Sequence, residues 1–245
     1  MIECVLESNI LKTILKGAVC LVGEMRFRFN SDGLHARAVD PANIAMVIVD
    51  IPSSEFEAYR IDEDEVVIGV DVNRLYDISK CFKSGELVDF FVEDSKLTVR
   101  CGKIKYSMDL IDPKAIRKES KIPELELPAK IVLDAGEFKK ALEFCWKVTD
   151  VVELRSCEDG FFVEAEGNID SVQYGVGDAE AVELNKADAK SMFSLEYLRE
   201  FCKIAGNGDL LTIRLGTNYP ARFAFDVCDG RARVEYILAP RLEAE

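Results

Sequence analysis

The chain has 245 residues and a formal charge of −14, with 45 acidic against 31 basic side chains and 49% hydrophobic residues. No apolar run reaches the roughly 18 residues that a membrane span needs, so we expect a soluble protein. The acidic excess argues against a dedicated nucleic-acid-binding module, because such modules are usually basic and the phosphate backbone repels an acidic surface.

The N-terminus indicates where the protein is located. Residues 1–7 begin a predicted strand at once and lack the basic and apolar segments of a signal peptide. We therefore expect a cytoplasmic, nucleoid-associated protein in a prokaryote, or a nuclear one in a eukaryote. The eight cysteines include no Cys-x-x-Cys pair, so we interpret them as small core residues and expect neither a disulfide framework nor structural zinc.

The first half of the chain is predicted to contain two amphipathic helices and a series of strands. Residues 8–19 place apolar side chains at i, i+1, i+4 and i+5, which is typical of a helix with one buried face. Ser8 is expected to cap this helix, and Lys12 and Lys16 to lie on the face turned from the core. Ser31-Asp32-Gly33 predicts a hairpin. The other predicted elements are a helix at 71–82 and strands at 25–30, 34–39, 44–51, 56–61, 87–92, 96–101 and 105–111.

The second half is predicted to follow the same order. Its helices are expected at 136–148 and 194–203, and its strands at 151–156, 161–165, 171–176, 210–215, 221–227 and 231–238. Consecutive strands with few helices favour an α+β class built on antiparallel sheets.

An internal repeat supports this similarity of the two halves. Residues 4–15 match 131–142, and Ser31-Asp32-Gly33 matches Glu158-Asp159-Gly160, both at an offset of 127. Residues 69–76 match 192–199, and 84–87 match 207–210, at an offset of 123. Four landmarks in the same order predict two structurally similar domains.

A proline-bearing segment separates the two copies. Pro113, Pro123 and Pro128 exclude a regular helix and make a central strand unfavourable, so the segment is predicted to be an extended connector. Its apolar side chains indicate that part of it is docked on the protein or offered to a partner. We predict an N-terminal domain over 1–112, an interdomain connector over 113–128 and a C-terminal domain over 129–245.

Signals for catalysis are weak. His35 is the single histidine, which removes the commonest acid-base and metal-binding partner. The acidic run 62–65 could hold a divalent cation, but it lacks the ligand spacing and glycine of a calcium loop, so a solvated loop is favoured. No nucleophile, base and orienting residue assemble, and we predict neither an enzyme nor a bound cofactor or metal.

Basic side chains recur on all four predicted helices. Charge alone favours an ordinary solvated surface over a DNA interface. The reason is that the same helices also carry acidic residues, which reduce their net positive charge: Asp77, Glu143, Glu196 and Glu200.

Several short stretches together resemble one family over the whole chain. They are Ser31-Asp32-Gly33, Val39-Asp40, Tyr59-Arg60, Ile68-Gly69-Val70, Leu110-Ile111-Asp112, Ile122-Pro123, Gly136-Glu137-Phe138 and Leu238-Ala239-Pro240. With the repeat and the connector, they resemble the sliding clamp family of proliferating cell nuclear antigen in its archaeal and eukaryotic form.

The resemblance implies a homotrimeric ring of two-domain subunits, with helices lining a hole through which duplex DNA passes without regard to sequence. A ring held by topology needs few phosphate contacts, which is compatible with an acidic chain. The DNA-facing residues it implies are Lys12, Lys16, Lys80, Lys140, Lys147 and Lys203, with Arg74, Lys83 and Arg199 as helpers. Asp77 and Glu143 stand where other members often carry basic residues, which leaves the strength of DNA contact at those helices open.

The resemblance also implies a pocket for partner peptides. Its implied walls are Val39, Ile44, Met46, Ile122, Pro123, Leu125, Leu127, Pro220, Ile237, Leu238, Ala239, Pro240 and Leu242. DNA polymerase, flap endonuclease, DNA ligase and the clamp loader would insert short motifs with a glutamine and aromatic anchors. The alternative for residues 238–242 is simple packing at the end of a sheet. Subunits would pair the edge strand at 105–111 with that at 171–176 of the next chain.

The function expected from the resemblance is therefore a processivity factor without chemistry of its own. Two alternatives remain open at this point: a metal-dependent hydrolase that uses the acidic loops, and an acidic oligomeric scaffold that does not bind DNA.

Overall fold

The computed structural model describes residues 1–206 and 208–241, which divide into two compact units. The first comprises Met1–Ser120 with Val227–Val234, and the second Lys121–Asp226 with the described residues from Glu235 onward. The division after Ser120 lies inside the predicted connector. Within the described ranges, no helix has the length and apolar character needed to cross a membrane.

The first unit contains two helices and nine strands that alternate as the sequence indicates. In chain order they are β1 (Ile2–Glu7), α1 (Ser8–Val19), β2 (Glu24–Asn30), β3 (Gly33–Val39), β4 (Ala45–Pro52), β5 (Ala58–Ile61), β6 (Glu65–Asp71), α2 (Val72–Ser79), β7 (Leu87–Glu93), β8 (Lys96–Cys101) and β9 (Ile104–Asp109).

Two antiparallel sets of strands support the helices of this unit. One set has the order β5-β1-β7-β8-β9, and in the other β4, β3, β2 and β6 are hydrogen-bonded in turn. Side chains alternate along β1, so that Ile2, Cys4 and Leu6 are buried. The predicted apolar face of α1 is buried too, and α1 packs on α2, β1 and β4. The core therefore lies between strands and helices.

The chain from residue 121 onward repeats this order, although its segment Val227–Val234, which includes the start of the last strand, belongs to the first unit. Its elements are β10 (Ala129–Asp134), α3 (Ala135–Cys145), β11 (Val151–Cys157), β12 (Gly160–Glu166), β13 (Ser171–Val176), β14 (Glu183–Asn185), β15 (Ala189–Ser194), α4 (Leu195–Phe201), β16 (Leu210–Leu215), β17 (Ala221–Val227) and the last strand, β18 (Ala232–Leu238).

The strand orders confirm the predicted repeat of the fold. The order β14-β10-β16-β17 matches β5-β1-β7-β8, and β13-β12-β11-β15 matches β4-β3-β2-β6. The starts of β1 and β10 are 127 residues apart, and those of α2 and α4 are 123 apart, as the sequence landmarks predict. The α+β class with antiparallel sheets and two helices in each half is thus confirmed.

The structure corrects several local predictions. The hydroxyl of Ser8 does not cap α1 but donates to the Lys83 carbonyl at 2.6 Å, because Ser8 already lies inside the helix and Glu7 is at the cap position. The predicted strand at 56–61 is shorter, since a single 3-10 turn precedes it at Ser53–Glu55. Strands β6 and β15 were not predicted, because each directly precedes a helix whose periodic signal masks it, and β14 was not predicted, because it is only three residues long.

The buried centre of the second unit is aromatic. The Phe223 ring is fully buried, and its centroid lies 6.4 Å from Phe138, 5.8 Å from Phe193 and 6.3 Å from Phe201. These residues come from α3, β15 and α4, so this cluster joins the helices to the strands.

We expect Phe223→Ala to lower the free energy of unfolding by about 3–5 kcal/mol, because it leaves a cavity that its neighbours cannot fill. Urea unfolding measures the change. Ile169→Ala is the control: its side chain is 97% exposed, so the change should stay within about 0.5 kcal/mol. Equal destabilisation of the two variants would contradict this placement of the core.

Candidate nucleic-acid and partner interfaces

The basic residues of α1 and α2 are engaged with neighbouring groups to different degrees. The Lys12 amine donates to the Phe82 carbonyl and thereby helps to hold the loop that follows α2. Lys80 pairs with Asp77 at 2.8 Å and lies 4.2 Å from the centroid of the Tyr76 ring. The basic residues of α1 and α2 are therefore only partly available to bind a phosphate.

The start of α2 shows the same local pairing. The Asp71 carboxylate accepts the backbone N–H of Arg74 at 2.9 Å, and the Arg74 side chain lies 3.9 Å from the other carboxylate oxygen. Asp71 therefore serves as the cap of α2 and as a weak partner for Arg74. Lys16 is half-buried, whereas Lys83 is exposed.

The second unit has one strong ion pair between its helices. Arg199 on α4 donates two hydrogen bonds of 3.0 Å to the two carboxylate oxygens of Glu143 on α3, and its guanidinium lies 4.5 Å from the centroid of the Trp146 ring. The hydrogen bonds from Arg199 hold the pKa of Glu143 below its ordinary value. The Arg199 guanidinium therefore binds groups of the protein itself.

The lysines of α3 surround an exposed aromatic ring. Phe144 is 57% exposed, and a shallow cavity of about 420 Å³ is lined by Phe144 with Lys139, Lys140 and Lys147. Lys140 has only a 3.7 Å contact to Glu137, whereas Lys203 on the short 3-10 turn after α4 pairs with Glu200. Lys140 on α3 and Lys147, two residues after its end, are both exposed and form the accessible cationic surface of this region.

Three residues implied as peptide contacts lie on the first unit. Val39 pairs with Met46 across β3 and β4, and Ile44 precedes β4 with its side chain exposed. The loop between these strands is held by Asp40, whose carboxylate accepts the N–H groups of Ile44 at 2.8 Å and Ala45 at 2.9 Å. The exposed Ile44 is therefore presented on an ordered turn.

Arg117 reaches this turn from the connector. It donates to the Asp40 carbonyl at 2.9 Å and to the Asn43 side chain, where the backbone adopts a φ of 60°. The sequence analysis missed Arg117 as a supporting residue; the available signal was the turn chemistry of Asp40-Pro41 and Asn43 opposite a basic run.

The other implied contacts lie on the second unit. Ile122 is exposed, Pro123, Leu125 and Leu127 are half-buried, and Arg222 donates to the Pro123 carbonyl at 3.0 Å. Leu127 lies over Gly216, where an added methyl group would meet its Cδ2 at 3.3 Å. A cavity of about 660 Å³ opens beside it, with Glu126, Asp188 and Tyr219 in its lining. Pro220 is half-buried.

The tail follows β18. Ile237 and Leu238 are buried, Leu238 completely, whereas Ala239 and Pro240 keep partial exposure. The N–H of Arg241 donates to the Met192 carbonyl at 2.8 Å, which fixes the tail on β15. Leu238 therefore supports the surface from below, and Leu242 lies outside the described residues.

Two strands are exposed at the edges of their sheets. β9 ends the order β5-β1-β7-β8-β9, and β13 ends the order β13-β12-β11-β15. Ile104 at the start of β9 is 60% exposed. Both strands offer backbone groups to a further strand, which is the situation that the predicted pairing of subunits requires.

The groups with catalytic potential are engaged in local contacts. His35 Nδ1 lies 2.6 Å from Asp50 on the adjacent strand. All eight cysteines are free thiols, and burial raises the pKa of Cys4 and Cys202 to about 12. Over residues 1–206 and 208–241, no group of three or more His, Cys, Asp or Glu residues is placed to hold a metal.

This fold, with its duplicated sheets and helices, is that of a DNA sliding clamp. The family model of the proliferating cell nuclear antigen N-terminal domain matches residues 1–108, and the model of its C-terminal domain matches residues 121–241. The chain belongs to the proliferating cell nuclear antigen family, and its function is that of a DNA polymerase sliding clamp.

Individual relatives agree with this assignment. The chain is 56% identical to the DNA polymerase sliding clamp of Archaeoglobus fulgidus and 38% identical to that of Methanocella arvoryzae, with full coverage of all chains. A solved structure of A. fulgidus PCNA bound to the C-terminal region of FEN-1 superposes with a TM-score of 0.98 over the whole of both chains. PCNA from Thermococcus kodakaraensis, at 24% identity, 98% coverage of this chain and 100% of its own, and a TM-score of 0.90, shares the fold.

The Glu143–Arg199 pair generates a pH prediction. Because the folded-state pKa of Glu143 is lowered, the pair contributes stability above the ordinary carboxylate pKa and loses it as the pH falls through the lowered value. In Arg199→Gln we expect the pKa of Glu143, followed by carboxyl NMR, to rise toward its ordinary value. An unchanged titration would show that Arg199 does not cause the shift. Glu164, whose pKa is lowered by Arg155, should titrate as before.

Proposed function

We propose that three copies of this chain close into a ring around duplex DNA and tether replication and repair proteins to it. The edge strands β9 and β13 carry this proposal: β9 of one subunit would continue the sheet that ends at β13 of the next. An exposed edge is otherwise a liability for aggregation, and a cyclic arrangement of such pairs covers β9 and β13 in every subunit.

Exposed apolar side chains support the same arrangement. Phe144 on α3 and Ile104 beside β9 are large, exposed and apolar. Burial of each such side chain in a subunit contact would contribute about 1.5–3 kcal/mol. The lysines around Phe144 would then border the contact and face the duplex.

The DNA surface is proposed to hold the duplex weakly. Lys140 and Lys147 are the leading candidates, with Lys12, Lys16, Lys80 and Lys203 and the helpers Arg74, Lys83 and Arg199 completing the set. The acidic partners Asp77, Glu137, Glu143 and Glu200 reduce the net attraction. A topologically closed ring needs no tight grip, and weaker phosphate contacts favour sliding.

The proposed clients are DNA polymerase, flap endonuclease, DNA ligase and the clamp loader. The solved complex of A. fulgidus PCNA with the C-terminal region of FEN-1 supports a peptide-docking role. In this chain the proposed contacts are Leu127 and Pro240 in the second unit and Val39, Ile44 and Met46 in the first. The clamp would contribute no catalysis, and its archaeal relatives support a cytoplasmic, nucleoid-associated location.

The ring proposal is tested by mass and by topology. We expect sedimentation to give three times the 27.4 kDa chain mass, and loaded protein to remain on nicked circular DNA while it leaves the same DNA after linearisation. A monomer at micromolar concentration, or equal retention on both DNA forms, would overturn the ring.

The same retention assay tests whether Lys140 and Lys147 contact the DNA. In Lys140→Ala with Lys147→Ala, the salt dependence of retention on circular DNA should become shallower, with a slope lower by about 1 for each phosphate that is no longer neutralised. Lys96→Ala with Lys103→Ala removes the same charge from exposed positions in and beside β8 and serves as the control. Equal slopes in the two variants would show that Lys140 and Lys147 do not contact the DNA.

Client docking has a separate test. Leu127→Ala with Pro240→Ala should weaken a glutamine- and aromatic-containing client peptide by about 1–3 kcal/mol, because both side chains are partly exposed anchors. Calorimetry gives the affinity, and sedimentation checks that the trimer persists. Leu87→Ala, at an exposed strand position, is the control. Unaltered peptide affinity would refute this docking surface.

A further inference from the structure

Three arginines of the first unit converge on one glutamate of the connector. The Glu119 carboxylate lies 3.1 Å from Arg37 Nε, 3.4 Å from Arg28 Nη2 and 3.9 Å from Arg26 Nη1. Its side chain is only 11% exposed. We call Arg26, Arg28 and Arg37 the arginine cluster; it is assembled on β2 and β3 and already binds a carboxylate.

The arginine cluster also recognises peptide backbone. Arg26 donates to the Pro113 carbonyl at 2.7 Å and to the Ile116 carbonyl at 2.6 Å. Ile116 is buried against Gly69, where an added Cβ would lie only 2.8 Å from the isoleucine side chain. Residues 113–119 are therefore held as an irregular peptide whose carbonyls and acidic side chain are both recognised.

A cavity of about 430 Å³ lies beside this peptide. Its apolar lining comes from Leu21, Val22, Met25, Ala38, Val39 and Ile116. Its charged lining consists of four cations, Arg26, Arg37, Arg117 and Lys118, and two carboxylates, Glu24 and Glu119. In a chain with a net charge of −14, this local cationic excess favours an acidic ligand.

We propose that this cavity is a second docking site, for an acidic peptide segment of a partner protein. An aliphatic side chain of the segment enters the apolar part, and a neighbouring carboxylate binds Arg37 and Lys118, while Arg117 remains on the Asp40 turn. Glu119 is its internal competitor, because it already occupies the Arg37 guanidinium. The site shares Val39 with the proposed client-peptide surface but otherwise lies outside it, and it does not depend on ring closure.

The contacts favour a peptide over a nucleic acid. Arg26 already donates to two carbonyls of the chain itself, so it is not available to a phosphate chain. The apolar lining suits an aliphatic side chain, whereas a single-stranded nucleic acid would need aromatic stacking partners, and no aromatic residue lines the described cavity.

The test uses the full chain and the probe acetyl-Asp-Leu-Glu-Glu-amide. Titration followed by backbone and arginine NMR signals should shift resonances of 21–26, 37–39 and 116–119. Arg37→Gln with Lys118→Gln should weaken binding at least fivefold, whereas Lys114→Gln with Lys121→Gln, which removes the same charge outside the cavity lining, should not. Glu119→Gln should tighten binding about threefold or more.

Other outcomes would overturn the proposal. These are absence of shifts, shifts confined to other surfaces, equal weakening in the two double variants, or no gain in Glu119→Gln. Equal competition by inorganic phosphate or by a dT8 oligonucleotide would show a general anion site instead. Binding of the glutamine- and aromatic-containing client peptide is measured in the same samples, so failure of this inference is distinguished from failure of the proposed clamp function.

Discussion

The burial of one apolar helix face against antiparallel strands determines the rest of this structure. In the first unit, the buried stripe of α1 packs on α2, β1 and β4, and in the second, α3 packs on α4 and on β10 to β13. Because the apolar stripe fixes the rotation of each helix, the remaining side chains, including the lysines, must face outward. A core requirement thus positions the residues proposed to meet DNA.

Local ion pairs then moderate the charge on those outward faces. The pairs Lys80–Asp77, Lys203–Glu200 and Arg199–Glu143 each place a carboxylate beside a candidate DNA contact. Exposed pairs of this kind contribute little stability, so their main physical effect is on the electrostatic potential. The partly neutralised cations lower the net attraction of these helix faces for a phosphate chain, which is the weak contact that the proposed ring would need.

The connector has two differently held parts. Residues 113–119 are fixed on the first unit by the arginine cluster and by Arg117, whereas Pro123 and Leu127 are held on the second by Arg222 and by the close approach to Gly216. The apolar side chains that a client would use therefore follow an anchored segment. Such anchoring lowers the conformational entropy that a docking peptide would otherwise have to remove from the connector.

The sequence alone determined the repeat and the α+β class, because apolar periodicity and turn residues such as Ser31-Asp32-Gly33 are local signals that survive without coordinates. The family came from the resemblance of short motifs such as Leu238-Ala239-Pro240 to a known family. The sequence also placed every helix within a few residues. It did not give the role of Ser8, the bidentate Arg199–Glu143 pair, the Arg117 contact with Asp40 or the convergence of Arg26, Arg28 and Arg37 on Glu119. These contacts join residues that are 56 to 93 positions apart in the chain, and only the packing of strands and helices decides which of these distant polar groups meet.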